Sequence, residues 1–495
     1  MQILNLFSQK KFLKKIFKKS NSKKVIQKNI FQNIFLNFLF FFSQKNFAQT
    51  SDRSREAMHR DSIEKFSLHY QATVIGQYKP TFNAPYSGEN SLKPETESQY
   101  SFTTTLFAGV RIGKYGALFI NPEGASGAGL SGALGIGAST NGETYRVGNP
   151  ALTFSLARLF YSQIFPLKAA GSQKSAISDK KKEFDSVKLI SDSSYQSPDI
   201  NQLGGYLPEK YFKVTLGKIS VSDFFDKNDF SHDPRTQFMS WGLMSNGAWD
   251  YPADVRGYTP SLVLEYFSPK WEYRYALSLE PLTANSSEIN YNIGEARAHT
   301  IEVANHFSLG EKKGTLRLLG FLNTANMGSY TEALRQKSYL PDVISTRQIG
   351  RTKYGLGLSA DMKYNDWIGM FGRLSWNDGN NETWAFTEID QSISAGLSFD
   401  GKKWHREHDN VGVALVASVL SDIHKKYIAA GGKGFVLGDG KLNYGIETLA
   451  EIFYTLNVWQ EKLKLTSVYQ FIVNPGYNQD RGPVSVFSLR LHLGL

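Results

Sequence analysis

The sequence predicts an all-β protein, a transmembrane antiparallel β-barrel of about sixteen strands. Three observations predict it. Apolar and polar residues alternate in runs of about ten residues throughout the chain, the span a tilted strand needs to cross a bilayer. The connections between these runs alternate between short and long. The chain also opens with a basic, then apolar leader, and it contains no cysteine.

The leader explains the charge. Residues 1–50 carry ten lysines and no acidic residue, so the formal +11 falls to 46 basic against 45 acidic residues in the remainder. A nucleic-acid binder needs a basic face on its folded domain, and no nucleic-acid partner is expected here. Lys10 to Lys28 reads as a basic n-region and Ile30 to Phe42 as an apolar h-region. Ala48 is the small residue before a cleavage point, so 1–48 is expected to be a signal peptide. The apolar run falls short of the roughly 20 residues of a spanning helix. Residues 49–65 are expected to form a short periplasmic segment before a barrel domain over 66–495. Without cysteine there is no disulfide framework and no thiolate ligand or nucleophile.

Period-two alternation marks half-buried strands. Phe66, Leu68, Tyr70, Ala72 and Val74 share one face, with Ser67, His69, Gln71 and Thr73 on the other. Trp271 to Leu279, Tyr354 to Tyr364 and Phe487 to Leu495 repeat the pattern. Strands are expected near 66–76, 100–111, 115–121, 152–163, 210–219, 260–267, 271–280 and 297–308. The second half supplies 313–325, 353–364, 367–376, 390–399, 411–420, 445–457, 462–472 and 484–493. Aromatics such as Tyr354, Tyr364, Trp367 and Trp376 close the runs, where interfacial girdles of outer-membrane barrels lie. A soluble β-sandwich also alternates, but it seldom strings together so many ten-residue runs behind a secretory leader.

Short connections at 112–114, 268–270, 310–312 and 365–366 alternate with long ones at 77–99, 122–151, 221–259, 281–296, 327–352 and 421–444. Short periplasmic turns and long external loops give this rhythm. One connection breaks it. The Ser/Lys-rich stretch 166–209 should be a short turn, and 168–208 is expected to be a flexible periplasmic insertion.

Other motifs point away from catalysis. The glycines of Gly124 to Gly137 lack the strand–helix unit of a dinucleotide fingerprint and fit a close-packed segment near the barrel mouth. His405 and His408 match no zinc spacing. Asp378-Gly379-Asn380-Asn381 opens like a calcium loop but has Ile389 where the bidentate Glu belongs. No G-x-S-x-G elbow occurs. No metal, nucleotide or other cofactor is expected. Glu272, Arg274, Asp361, Lys363, Glu447, Glu451, Lys464 and Arg490 lie on the polar faces of strands. On a lipid face an Arg or Lys would cost about 2–4 kcal/mol at the midplane, so these charges are expected to line a wet lumen.

The connection 221–259 is too long for an ordinary linker and too aromatic for a disordered one. It sets Trp241, Trp249, Tyr251 and Tyr258 among carboxylates, guanidiniums and amides, the groups needed to handle a polyhydroxylated solute. In chain order it is the third external loop.

The run DPRTQFMSWGLMSNGAWDYPADVRGYTP from Asp233, with GKISVSDFFD from Gly217 before it, resembles the signature region of the carbohydrate-selective porins, the OprB-type family. LFINPEGASGAGLS from Leu118, NGETYRVGNP from Asn141, LARLFYSQ from Leu156 and the segment from Val468 to Leu495 agree with it in order. Leu495 departs from the aromatic end common in such barrels. The resemblance implies a sixteen-stranded outer-membrane porin of a Gram-negative bacterium that passes small sugars by diffusion. It also implies a third external loop folded into the lumen. On that basis Asp233, Arg235, Asp250, Asp254 and Arg256 are expected to hydrogen-bond sugar hydroxyls, alongside Asn246, with Trp241 and Trp249 stacking on the sugar's apolar face. Small carbohydrates and outer-membrane lipid are the expected partners, and a homo-oligomer stays open. Two other classes compete: an outer-membrane exporter of an acidic polysaccharide, and a barrel-embedded hydrolase such as a phospholipase.

Overall fold

The computed structural model describes residues 63–144, 151–167, 193–336 and 339–495. The expected signal peptide, most of the segment 49–65 and residues 168–192 of the expected insertion lie outside the described residues.

Sixteen strands close into one antiparallel barrel. They are β1 (Phe66–Lys79), β2 (Glu97–Ile112), β3 (Gly116–Gly127), β4 (Thr153–Pro166), β7 (Tyr211–Ile219), β8 (Thr259–Phe267), β9 (Trp271–Leu279) and β10 (Arg297–Leu309). The circuit continues with β11 (Lys312–Met327), β12 (Gln348–Asn365), β13 (Ile368–Asn377), β14 (Gln391–Asp400), β15 (Asn410–Val419), β16 (Glu447–Trp459), β17 (Leu463–Val473) and β18 (Val484–Gly494). Two further strands, β5 (Ser193–Gln196) and β6 (Gly205–Pro208), form a separate hairpin inside the connection from β4 to β7. Among the described residues, three α-helices sit in connections: α1 (Trp241–Met244), α2 (Tyr330–Arg335) and α3 (Asp422–Ala429).

Each expected run meets one barrel strand. Several strands extend farther, β12 back to Gln348 and β3 on through Gly127. The hydrogen-bond ladder continues where the apolar alternation has stopped, so the pattern marks the membrane band rather than the strand end. Of the stretch 168–208 expected to be flexible, 193–208 is folded as the β5–β6 hairpin.

The barrel closes where β1 pairs with β18, from Gln71 opposite Gly494 to Tyr78 opposite Phe487. Leu495 continues the seam, exchanging both backbone hydrogen bonds with Tyr70 at 2.8–2.9 Å. Alternation then sorts the two faces. On β11, Leu316, Leu318 and Leu322 are exposed outward, whereas Thr315, Arg317, Leu319, Phe321 and Asn323 are buried within. On β12, Tyr354, Leu356 and Leu358 face out and Lys353, Ser359 and Asp361 face in. Of the charges expected in the lumen, Arg274, Asp361, Glu447, Glu451 and Arg490 are buried, while Lys363 is exposed near the end of β12.

The bore is largely filled by two connections from the long-loop end. Gly135 of the connection after β3 has φ +77, and a Cβ there would stand 1.9 Å from the Leu92 nitrogen, so only glycine fits. The neighbouring Gly137 and Ala138 nitrogens donate to Glu447 at 3.1 and 2.8 Å. The connection from Ser220 to Tyr258 lies against them: Trp241 N donates to Ser139 O at 3.0 Å and Gly142 N to Met239 O at 2.8 Å.

Lumenal charges bolt this second connection in place. Asp226 receives both carboxylate contacts of Arg373 Nε at 3.1 Å, and Arg373 also donates to the carbonyls of Leu243 and Ser231. Glu451 accepts the Met239 and Ser240 nitrogens at 2.7 and 3.0 Å. Arg490 donates to the carbonyls of Pro234 and Gln237, both at 2.7 Å. Asp250 accepts three backbone N–H groups, from Trp384, Ala385 and Phe386, at 2.8–3.0 Å, and lies 3.6 Å from buried Lys353. Buried loop backbone must find partners, and the strand charges supply them. Apolar packing follows: Phe238 meets Phe371 and Phe453 at ring distances of 5.5 and 4.9 Å.

A third cluster caps the long-loop end. Helices α2 and α3 pack through Tyr330, Ala333, Tyr427 and Ile428 against Val343, Leu420 and Leu437. At its centre His424 is fully buried, stacked on Tyr330 at 4.2 Å. Its Nδ1 is 2.9 Å from Asp390 Oδ2 and its Nε2 is 3.6 Å from Glu388. Burial disfavours the imidazolium, but Asp390 and then Glu388 outweigh it and raise the pKa to about 9.

Two predictions follow from these bolts. Asp250→Asn strands the Lys353 ammonium and weakens three N–H bonds at once. Breaking a buried pair on one side costs about 3–5 kcal/mol, so a lowered melting temperature and flickering single-channel current are expected. His424 gains its raised pKa only in the folded cap. Its contribution is therefore complete below the unfolded value of about 6.5 and is lost as pH climbs through about 9. Hydrogen exchange should show protection of 422–429 falling across that alkaline window. In His424→Gln the step should vanish and protection should be lower at neutral pH.

Candidate functional site

One side of the bore stays open as a cavity of about 600 Å³. Its walls come from the inner faces of β2, β3, β4, β7, β8 and β9, from the connection 220–258, and from the β5–β6 hairpin. It is a concave space of the size that takes a small organic ligand.

Four of the eight expected residues line it: Asp233, Arg235, Trp241 and Arg256. Asp233 accepts the Arg235 nitrogen at 2.9 Å and the Thr236 hydroxyl at 2.8 Å. Burial alone would raise its pKa, but Arg235 and these bonds hold it below the usual carboxylate value. Arg235 reaches across to Glu143 at 2.9 Å and Glu123 at 3.2 Å, which keep it charged despite burial. Arg256 donates to the Ser155 and Thr153 hydroxyls, both at 2.8 Å. Trp241 stacks on Phe386 at 5.0 Å and, at 6.1 Å, on Tyr251.

The other four brace the loop. Trp249, expected to stack on solute, is 1% exposed and meets Phe225 edge-on at 6.3 Å. It lies behind Tyr251, at 5.3 Å, in the apolar cluster between loop and wall. Asn246 is buried against Gly357, and its backbone nitrogen donates to Asp226 at 2.7 Å. Asp250 is the bolt described above. Asp254 accepts the Arg256 and Tyr258 nitrogens at 2.9 and 3.1 Å and pairs with Lys218 at 3.2 Å. Its carboxylate closes the loop's own turn back into β8.

Several cavity residues escaped the sequence reading. Phe386, which completes the aromatic stack, comes from the connection after β13, far from Trp241 in sequence. Arg158 forks onto Asp223 at 2.6 and 2.8 Å. Asp223 is thereby held below its ordinary pKa against the effect of burial. Tyr258, already named among the loop's aromatics, gives its hydroxyl to Glu123 at 2.8 Å. Lys227 faces the cavity, where desolvation and then repulsion from Lys213 lower its pKa. Arg158 and Glu143 lie in stretches that carried the porin resemblance. That was the one signal pointing to them, because single charges on alternating strands look alike.

The cavity therefore offers a cluster of mutually packed rings, Trp241, Phe386 and Tyr251, beside guanidiniums and carboxylates already held by partners. Such groups can exchange hydrogen bonds with a polar solute without moving far. A family model described as carbohydrate-selective porin, OprB family, matches residues 89–495. No curated protein matches the chain. Among solved structures, OprB of Pseudomonas putida at high pH has a TM-score of 0.63 at 14% identity, covering 89% of this chain and 96% of that one. The outer-membrane channel DcaP of Acinetobacter baumannii covers 87% and 97% at 10% identity, with a TM-score of 0.45. The closed sixteen-stranded barrel and the family match over most of its length agree: this chain is a Gram-negative outer-membrane protein and belongs to the OprB family of carbohydrate-selective porins.

Proposed function

We propose that the cavity is the selective section of a channel through which small sugars diffuse passively across the outer membrane. The observation that carries this reading is the aromatic stack Trp241–Phe386–Tyr251 standing beside Arg235, Asp233 and Arg256 in one cavity. A sugar ring has two kinds of surface, axial C–H groups and equatorial hydroxyls. The stack supplies an apolar platform for the first, and the charged side chains supply donors and acceptors for the second.

Most of these polar groups have protein partners when the cavity is empty. A sugar hydroxyl then replaces or shares a bond rather than satisfying a vacancy, so binding is weak. Weak binding is what passage requires: strong enough to favour entry, loose enough to permit exit. No energy source enters the scheme. The family name supports carbohydrate as the solute class.

Trp241→Ala removes one of the three packed rings. An aromatic contact is worth about 0.5–1.5 kcal/mol, so the glucose concentration that half-blocks ion current should rise about two- to tenfold. Trp249→Phe, behind the wall, should leave that concentration unchanged even where it lowers the melting temperature. Equal sugar block in wild type and Trp241→Ala would remove the stack from the pathway. Arg256→Met keeps bulk but loses both guanidinium donors. It should weaken sugar block in the same bilayer recordings while leaving the barrel's heat-modifiable migration intact.

A further inference from the structure

The connection from β4 to β7 spans 167–210, whereas most other turns at that end, such as 113–115, 268–270 and 366–367, are two or three residues long and the next longest, 401–409, is nine. Its described part does not trail away from the barrel. Strands β5 and β6 pair from Ser193 opposite Pro208 to Gln196 opposite Gly205, and the tip between them turns into the lumen. Leu203 at the tip is 8% exposed and packs in one apolar cluster with Phe119 of β3, Phe160 of β4 and Phe224 of the long connection. Asn201, at φ +55, accepts a hydrogen bond at 3.0 Å from Asn121, which is fully buried on the inner face of β3.

The tip is also tied at its base. Gly204 exchanges two bonds with Glu64, its nitrogen to the carboxylate at 2.8 Å and its carbonyl from the Glu64 nitrogen at 2.9 Å. Arg111 spans both, donating to Glu64 O at 2.7 Å and Gly204 O at 2.8 Å. Ile200, Gln202, Leu203 and Tyr206 form part of the lining of the same cavity that Trp241 and Arg235 line. A segment anchored at its base and capped by an apolar residue inside a wet bore is a built element of the pathway.

We propose that the β5–β6 hairpin is a second constriction, set at the short-turn end, that fixes the largest solute the channel passes. The long connection 220–258 narrows the bore from one end and the hairpin floors the cavity from the other, the two meeting at Leu203 and Phe224. Between them a chain of one or two sugar rings finds room. A longer oligosaccharide would have to occupy the space of the hairpin tip. The hairpin is thus a size filter, separate from the aromatic and charged groups that recognise the ring.

This inference rests on the channel reading, and its test separates the two. Residues 197–204 are replaced by Asn-Gly, the pair that joins two strands in a tight turn, so that Gln196 and Gly205 remain opposite each other. Liposome swelling with glucose, maltose and maltotriose is compared with single-channel conductance in planar bilayers. The expected result is at least a twofold rise in conductance and entry of maltotriose, which the unaltered protein excludes, with glucose entering both. Leu203→Asp serves where the shortened chain fails to assemble. It should move conductance and cutoff in the same direction by expelling the tip from its apolar contact. Unchanged conductance and cutoff in assembled variants, with glucose still entering, would overturn the size filter alone. Absence of glucose entry in the unaltered protein would overturn the sugar-channel reading beneath it.

Discussion

The structure depends on one constraint: a strand in hydrocarbon finds no water for its backbone, so every N–H and C=O must be paired within the protein. A sheet satisfies this only by closing. Here the closure runs from Tyr78–Phe487 to Tyr70–Leu495, using the last residue of the chain. Closure fixes everything downstream. It forces the strands into a ring with one lipid face and one interior face, and the period of two then assigns each residue to one of them. Leucines on β11 and β12 face lipid because Arg317 and Asp361 cannot.

The interior created this way is wide and polar, and the same accounting applies within it. Two connections that fold inward bring their own unpaired backbone groups. Strand charges meet them: Arg373, Glu451, Arg490 and Glu447 hold loop carbonyls or nitrogens, while Asp250 of the loop itself holds three nitrogens of the connection after β13 beside Lys353 of β12. A charge on an inner face is therefore rarely free for a solute. Most lumenal charges in this barrel are structural parts of the loops, and the solute-facing set is the smaller group left along the open side of the bore.

This explains what the sequence made legible. Strand number and faces were legible, because alternation is a local pattern that the membrane enforces. The inward course of 220–258 was legible only through resemblance and composition. Roles within it were not. Trp241 and Trp249 are eight positions apart on one loop and carry the same side chain. One stacks in the cavity with Phe386 and the other is packed behind Tyr251. The difference arises from the path of a loop without periodicity, and from Asp250, which turns the chain against the connection after β13 by holding three of its nitrogens. Asp254 takes its place for the same reason: polar type identifies a group that needs partners, and here the fold supplies the Arg256 and Tyr258 nitrogens and Lys218. Phe386 had no local signal at all, since its importance exists only beside Trp241.

The hairpin between β4 and β7 shows the converse case. The connection that carries it, rich in serine and lysine, reads as solvated linker, and composition is a sound guide where no core is within reach. Leu203 changes the balance because a bore lined at that level by Phe119 and Phe160 offers a dry contact to a single apolar residue. One buried leucine is worth about 1.5–3 kcal/mol, comparable with the entropy of ordering a residue or two, and cannot fold the segment alone. The bonds of Arg111, Glu64 and Asn121 to the tip supply the rest. They come from the N-terminal approach to the barrel and from the neighbouring strands β2 and β3, so the hairpin is held by the strands that precede it in the chain.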